Sequence, residues 1–268
     1  MRTYHQSAAV ILALLFGVVP FPMQSMAMGS SDGPHPRGGK QAAFVILLHG
    51  MGRTHRSMET MAERLAEEGF AVVNLDYPST EADIETLSQG IVADTVRKCQ
   101  SESPGVPIHF VTHSLGGILV RHYLQNQTLP PGSRVVMLSP PNRGSEIADG
   151  LKDFPPYRWI MGPAGQQLGT GANAIPNRLK AVDVPVGVIT GDRSLEPWFS
   201  AQIPGPDDGK VAVERARLPE MADFLVVHRS HGFIMSDADV IAQTAHFLRH
   251  GKFKREGDSV ERGKPLPN

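Results

Sequence analysis

The stretch VTHSLGG, residues 111–117, joins a predicted buried strand directly to a predicted helix. The strand reads PIHFVTH over residues 107–113, and an apolar pattern at helical spacing begins immediately after it. The joining residues approximate the pattern G-x-S-x-G, with Thr112 in place of the first glycine and Gly116 as the second. Such a turn holds its central residue, Ser114, in a strained backbone conformation, and small neighbours let the strand and the helix approach closely. The sequence therefore predicts a serine hydroxyl presented at the carboxyl end of a buried strand.

Short apolar runs alternate with segments of helical periodicity along most of the chain. Continuous apolar runs are typical of strands buried on both faces, and their alternation with helices predicts a parallel sheet covered on both sides. The fold class is therefore α/β: a compact, mostly parallel sheet of about six strands flanked by helices, with a lid insertion. The last helix is predicted over residues 236–249, with Ser236 as its N-cap. The predicted strands cover residues 43–50, 70–78, 107–113, 134–141, 184–191 and 223–228.

The longest interruption of this alternation covers residues 142–181, which are rich in glycine and proline. Long irregular segments in a compact domain are often lids or binding loops. The segment also carries the aromatic residues Phe154, Tyr157 and Trp159, which favour an apolar pocket. We therefore expect a single domain over residues 43–250, with a lid at about 142–181.

The two ends of the chain differ from this domain. Arg2 precedes an apolar run too short to span a membrane, and a small-residue step ending at Ala27 follows that run. This pattern predicts a secretory signal peptide over residues 1–27 and a periplasmic or secreted protein; an uncleaved membrane anchor and a buried helix are the alternatives. Residues 28–42 are predicted to be a linker, and residues 251–268 a loose C-terminal tail.

Composition excludes several classes of protein. The chain has 268 residues, of which 41% are hydrophobic, enough for a full core. Its 26 basic and 27 acidic residues nearly balance, which argues against a general nucleic-acid binder. Its single cysteine, Cys99, excludes an intrachain disulfide and a multi-cysteine metal site. We expect neither a metal nor an organic cofactor.

The loop after the first predicted strand reads HGMG, starting at His49. An acyl-transfer site needs two backbone N–H groups to stabilise the oxyanion of its tetrahedral intermediate, one from such a loop and one from the residue after the nucleophile. The predicted donors are therefore Met51 and Leu115. We expect the neighbouring residues His49, Gly50 and His113 to line the substrate pocket.

A serine nucleophile also needs a base and an acid that orients the base. His231, just after the sixth predicted strand, is the preferred base. His228 is a rival, but its alternation within DFLVVH indicates a residue of the strand itself. Asp192, at the tip of the fifth strand, and Asp208, later in the chain, are both candidates for the acid. Either keeps the chain order Ser, Asp, His, so these features alone do not separate the two.

Five motifs together resemble the α/β-hydrolase superfamily, on the bacterial lipase and esterase side, over about residues 43–250. They are LLHGMG, VTHSLGG, LSPPNRGSEIAD, DGKV and SHGF. In related bacterial lipases the acid often lies in an Asp-Gly-x-Val motif, so the resemblance favours Asp208, with Asp192 as the alternative acid. It also implies a small-molecule or lipid ester as substrate and allows a transient contact with a membrane or lipid surface.

Other functions stay open on the sequence. The same Ser-His-Asp machinery could transfer an acyl group to an acceptor other than water, or cleave an amide. The alternative from a different functional class is a non-catalytic binding protein on the same scaffold. The loss of a triad residue would indicate such a protein. His228 and His231 lie three positions apart, a spacing that can suit a metal, but no third ligand is evident.

Overall fold

The computed structural model of the protein describes residues 42–255. The signal peptide predicted for residues 1–27 lies outside the described residues. Residues 28–41 of the predicted linker (28–42) and residues 256–268 of the predicted tail (251–268) also lie outside the described residues. None of the helices within the described part is long and apolar enough to cross a membrane.

Six strands of the described chain form one sheet in the order β2-β1-β3-β4-β5-β6, and every neighbouring pair is parallel. The strands are β1 Phe44–Leu48, β2 Ala71–Leu75, β3 Ile108–His113, β4 Val135–Leu138, β5 Val186–Gly191 and β6 Asp223–Val227. The order reverses direction between β1 and β3, where loops from the two halves of the sheet leave its carboxyl edge side by side. This architecture confirms the predicted fold class.

Helices cover both faces of the sheet. The α-helices are α1 Glu59–Glu67, α2 Ile84–Leu87, α3 Ala93–Glu102, α4 Leu115–Tyr123, α5 Glu146–Leu151, α6 Pro155–Gln166, α7 Ile175–Arg178, α8 Pro197–Ser200, α9 Val213–Ala216 and α10 Ala238–His250. A π-helical segment, Ser88–Val92, joins α2 to α3, and short 3₁₀ helices cover His55–Met58 and Ile234–Ser236.

Two apolar clusters fill the space between the sheet and its helices. Phe110 and Met137 belong to the cluster on one face, whereas their neighbours Val111 and Val136 belong to the cluster on the other. All four side chains are completely buried. Because alternate residues of a strand point to opposite faces, a sheet covered on both faces needs continuous apolar runs, and that is the pattern in the sequence.

The N-cap of α10 differs from the one expected from the sequence. The Asp237 carboxylate, not Ser236, accepts from the N–H groups of Asp239 and Val240, each at 3.1 Å. The Ser236 hydroxyl instead donates to the Phe233 carbonyl within a 3₁₀ turn. The prediction of Ser236 was therefore wrong by one residue, because the 3₁₀ turn extends the helical region before the cap.

The segment 142–181 contains more regular structure than its composition suggests. It folds into α5, α6 and α7 between β4 and β5. Gly162 interrupts α6 with a φ of 60°, and an added Cβ there would lie 1.7 Å from the Thr80 carbonyl oxygen. The kink therefore requires glycine, and it seats this insertion against the loop after β2.

His109 is a buried histidine near the start of β3, at the opposite end of that strand from the serine turn. Its Nδ1 accepts a hydrogen bond from the Arg134 N–H at 3.0 Å. Burial, with a smaller contribution from the charge of Arg134, lowers the pKa of His109 to about 4. The ring is therefore neutral in the folded protein at neutral pH, and protonation would destroy the bond to Arg134.

We predict that His109 makes the protein less stable as the pH falls from 7 to 5. Its folded pKa lies below the unfolded value of about 6.5, so the unfolded chain binds more protons in this window and stability decreases on acidification. The expected loss is about 2 kcal/mol for a ring that is only 4% exposed. Urea unfolding of wild type and His109→Asn, whose amide oxygen can replace Nδ1, measures this loss. An equal pH dependence of the two proteins would contradict the prediction.

Candidate active site

Ser114 lies in a tight turn between β3, which ends at His113, and α4, which begins at Leu115. Its φ of 51° and ψ of −118° are unusual for a residue with a side chain. The Ser114 N–H donates to the Leu138 carbonyl at 2.9 Å, which ties the turn to the next strand. A strained conformation of this kind persists only where the surrounding structure fixes it. The turn therefore presents the Ser114 side chain at the carboxyl edge of the sheet.

Two glycines allow the chain to pack closely around this turn. An added Cβ at Gly116 would lie 2.8 Å from the Leu48 carbonyl oxygen, so α4 can approach β1 only with glycine there. An added Cβ at Gly50 would lie 2.6 Å from His113 Nδ1 and 3.3 Å from the Ser114 Cβ. The loop after β1 is thus in contact with the serine turn.

The two predicted oxyanion donors come from different elements next to the cavity. Met51 belongs to the loop after β1 and lines the same cavity as Ser114. Leu115 is the first residue of α4, so its N–H has no preceding helical carbonyl to pair with. A helix N-terminus also favours negative charge.

The structure brings His231 together with Asp208. His231 Nδ1 lies 2.8 Å from Asp208 Oδ2, and the His231 N–H donates to the Asp208 carbonyl at 2.9 Å. The Asp208 side chain is completely buried, and that of His231 is 12% exposed. Because an ionised carboxylate can only accept, Nδ1 carries the proton of this contact, which leaves Nε2 as the ring nitrogen that can exchange a proton with another group.

Asp208 is held in its ionised form. Burial raises the pKa of its carboxyl, but the charge of His231 and hydrogen bonds from His231 and the Val211 N–H outweigh burial, so the pKa lies below its usual value. The N–H groups of Lys210 and Val211 donate to Oδ1 at 3.0 and 2.9 Å. Both carboxylate oxygens therefore have donors, which fixes the orientation of the group.

The alternative acid, Asp192, pairs with a different histidine. Its Oδ1 lies 2.9 Å from Nδ1 of His228, whose side chain is 73% exposed. The two aspartate–histidine pairs are therefore separate: one is exposed at the end of β6, and the other is enclosed beside Ser114. The two histidines that could have suggested a metal site contact different carboxylates. Within residues 42–255, no group of three or more His, Cys, Asp or Glu side chains is arranged to hold a metal ion.

Ser114 and His231 line one cavity of about 270 Å³. Much of its remaining wall is apolar. The apolar lining includes Met51, Ile147, Tyr157, Met161, Leu168 and Phe233. Four of these six belong to the insertion 142–181, so this segment shapes the space next to the serine.

The three residues predicted to line the pocket have different positions. His113 lines the cavity, and its Nε2 donates to the His231 carbonyl at 3.0 Å. Burial keeps the pKa of His113 well below its usual value, so the ring is neutral. His49 is fully buried and is not among the residues lining this cavity; its ring stacks on Tyr77 at 4.1 Å between centroids. Gly50 supports the serine turn through the close contact described above.

The sequence motifs and the fold agree on the family of this chain. Residues 45–245 match the sequence model of the alpha/beta hydrolase family. The chain belongs to this family. The family resemblance stated from the motifs is thereby confirmed. No curated protein matches the chain in sequence.

Solved structures similar to this α/β-hydrolase include lipases and esterases. The mature form of the Bacillus licheniformis lipase BlEst2 matches with a TM-score of 0.63 and 18% identity, over 82% of this chain and 95% of that one. The metagenomic carboxyl esterase MGS0156 matches with a TM-score of 0.55 and 18% identity, over 78% and 70%. The Paleococcus ferrophilus monoacylglycerol lipase matches with a TM-score of 0.51 and 18% identity, over 78% and 94%. At such identities the likeness establishes the shared fold alone.

Three charged residues of the cavity were not identified from the sequence. Arg53, Glu196 and Lys210 line it together with Ser114. Arg53 follows the HGMG loop and Lys210 lies inside the DGKV motif, so both were close to the signals used. Nothing in a single sequence indicates that these three side chains meet, because they come from separate loops of the α/β-hydrolase fold.

Proposed function

We propose that this protein is a serine hydrolase that cleaves carboxylic esters through an acyl-enzyme. The observation that carries the proposal is the 2.8 Å contact between His231 Nδ1 and the buried Asp208 carboxylate, beside the cavity that also holds Ser114. This contact fixes the tautomer in which Nε2 can accept a proton.

In the first half of the reaction, the Ser114 Oγ attacks the ester carbonyl carbon while its proton passes to His231 Nε2. The C–O π electrons move onto the carbonyl oxygen, and a tetrahedral intermediate forms. Asp208 stabilises the imidazolium and does not itself take a proton. When the intermediate collapses, the bond to the alcohol oxygen breaks, and His231 gives its proton to that oxygen.

In the second half, water loses a proton to His231 and attacks the acyl-enzyme by the same route. The acid leaves, and Ser114 recovers its proton. The N–H groups of Met51 and Leu115 hold the oxyanion in both halves. Removing one such donor from an acyl-transfer enzyme typically costs about 10²- to 10³-fold in kcat.

The apolar wall supports an ester with an apolar acyl group. Tyr157 and Met161 of the insertion are buried against the cavity, and the similar solved structures include lipases and esterases. We propose that the insertion acts as a lid. Trp159, on the same helix as Tyr157, is 78% exposed, which supports a transient contact with a lipid surface. Acyl transfer to another acceptor and amide cleavage would use the same groups.

We predict that a fluorophosphonate probe labels wild-type protein at Ser114 and does not label Ser114→Ala. The reason is that only a serine next to a free imidazole nitrogen reacts readily with such a probe. Peptide mass spectrometry identifies the labelled residue. Folded wild-type protein that remains unlabelled would contradict catalysis and favour a non-catalytic binding protein.

The two aspartates provide a matched pair of variants. Asp208→Asn should lower kcat/KM for a p-nitrophenyl ester by about 10⁴-fold, because the amide favours the wrong tautomer of His231. Asp192→Asn should stay close to wild type, since its partner is the exposed His228. Steady-state kinetics with esters of increasing acyl length measures both variants and the acyl preference. A larger loss of kcat/KM in Asp192→Asn than in Asp208→Asn would identify Asp192 as the acid.

A further inference from the structure

The cavity has a charged side as well as an apolar one. Lys210 Nζ lies 3.2 Å from Glu196 Oε1, and their side chains are only 14% and 24% exposed. This partly buried pair balances its own charge. Asp208 is completely buried behind His231, and His113 is neutral because burial lowers its pKa. One further charged group, Arg53, lines the cavity.

The Arg53 guanidinium lies within range of the Glu196 charge but forms no ion pair with it. Its side chain makes no hydrogen bond or ion pair with any residue from 42 to 255. Burial lowers the pKa of Arg53 and the charge of Glu196 partly offsets this, but Glu196 Oε1 is paired with Lys210. A guanidinium presents five N–H donors in a planar fork that fits a carboxylate or a phosphate. An unpaired, half-buried arginine in a cavity is therefore suited to a ligand anion.

The position of Arg53 indicates which part of a substrate it would reach. An added Cβ at Gly232 would lie 3.2 Å from Arg53 Nη2, so the guanidinium lies against the residue that follows His231. In the proposed reaction His231 gives its proton to the departing alcohol, so the alcohol part must lie beside the imidazole. The acyl part then occupies the apolar wall formed by the insertion.

We propose that Arg53 binds an anionic group, a carboxylate or a phosphate, on the alcohol part of the ester. This inference rests on the proposed ester hydrolysis. It narrows the substrate class to esters that carry a negative charge on the leaving group. A charge-assisted, bidentate contact in a partly buried site is expected to favour such an ester by roughly ten- to a hundredfold in kcat/KM.

Butyrate esters of four alcohols test the proposal directly: phenol, 4-hydroxybenzoate, 4-hydroxyphenylphosphonate and 3-hydroxyphenyltrimethylammonium. For each ester, the kcat/KM of a variant is divided by that of wild type, so that differences in leaving-group reactivity between the esters cancel. Arg53→Gln should lose roughly ten- to a hundredfold with the carboxylate and phosphonate esters and stay near wild type with the phenyl ester. Arg53→Lys should retain part of the preference for the two anionic esters over the phenyl ester. Arg53→Glu should instead prefer the cationic ester. A larger loss of kcat/KM with the phosphonate ester than with the carboxylate ester would indicate that the anionic group bound by Arg53 is a phosphate.

Arg64→Gln is the matched control, because Arg64 lies on the exposed face of α1, paired with Glu67 at 2.8 Å. It should leave all four rates unchanged. Equal losses with all four esters in Arg53→Gln would overturn the proposal and make Arg53 a structural residue. Unchanged rates with all four would overturn it as well.

Two further measurements separate this proposal from ester hydrolysis itself. Fluorophosphonate labelling of Ser114 should be the same in Arg53→Gln and wild type, since the probe carries no anion. If wild-type protein neither labels nor hydrolyses any ester, the proposed function fails independently of Arg53. Calorimetric binding of 4-hydroxybenzoate to Ser114→Ala then tests the anion site alone. Binding to Ser114→Ala that is lost in the double variant Ser114→Ala/Arg53→Gln supports the site. No binding to Ser114→Ala, or binding that persists in the double variant, refutes it.

Discussion

The strained turn at Ser114 is the constraint on which the rest of the site depends. An L-residue with a φ of 51° is stable here because β3, α4 and the loop after β1 all fix the chain around it. Glycines at positions 50 and 116 make that close approach possible. Once the hydroxyl is placed at the carboxyl edge of the sheet, only the loops leaving that edge can supply its partners. The loops around β5 and β6 bring Asp208 and His231 there.

Burial then sets the electrostatics of these partners. Asp208 is enclosed, yet it is ionised because His231 and two backbone N–H groups satisfy its oxygens. His113 reinforces the arrangement by donating from Nε2 to the His231 carbonyl, and burial keeps its pKa well below the usual value. Charge is therefore concentrated where the proposed reaction uses it. Arg53 lines the cavity without an ion-pair partner in the described residues, and we propose that it binds an anionic group of the substrate.

The sequence predicted the parts of this structure that depend on local patterns. All six strands follow from continuous apolar runs, and the serine turn follows from a short motif. Chain order alone left Asp208 and Asp192 open, because the acid depends on which histidine each loop reaches; only the resemblance to lipases, through the Asp-Gly-x-Val motif, favoured Asp208. The cap of α10 was misplaced by one residue, because the preceding 3₁₀ turn has no distinct sequence signal. Arg53 was missed because its role requires loops distant in sequence to converge.

Direct observation of the covalent intermediate tests the central claim most sharply. Wild-type protein is mixed with p-nitrophenyl butyrate, quenched in acid within the first turnover, digested and examined by mass spectrometry. The account predicts one butyryl group on the peptide that contains Ser114, appearing with the first release of nitrophenol and decaying as butyrate forms. Turnover without any acylated peptide, or with the butyryl group on a different residue, would contradict it.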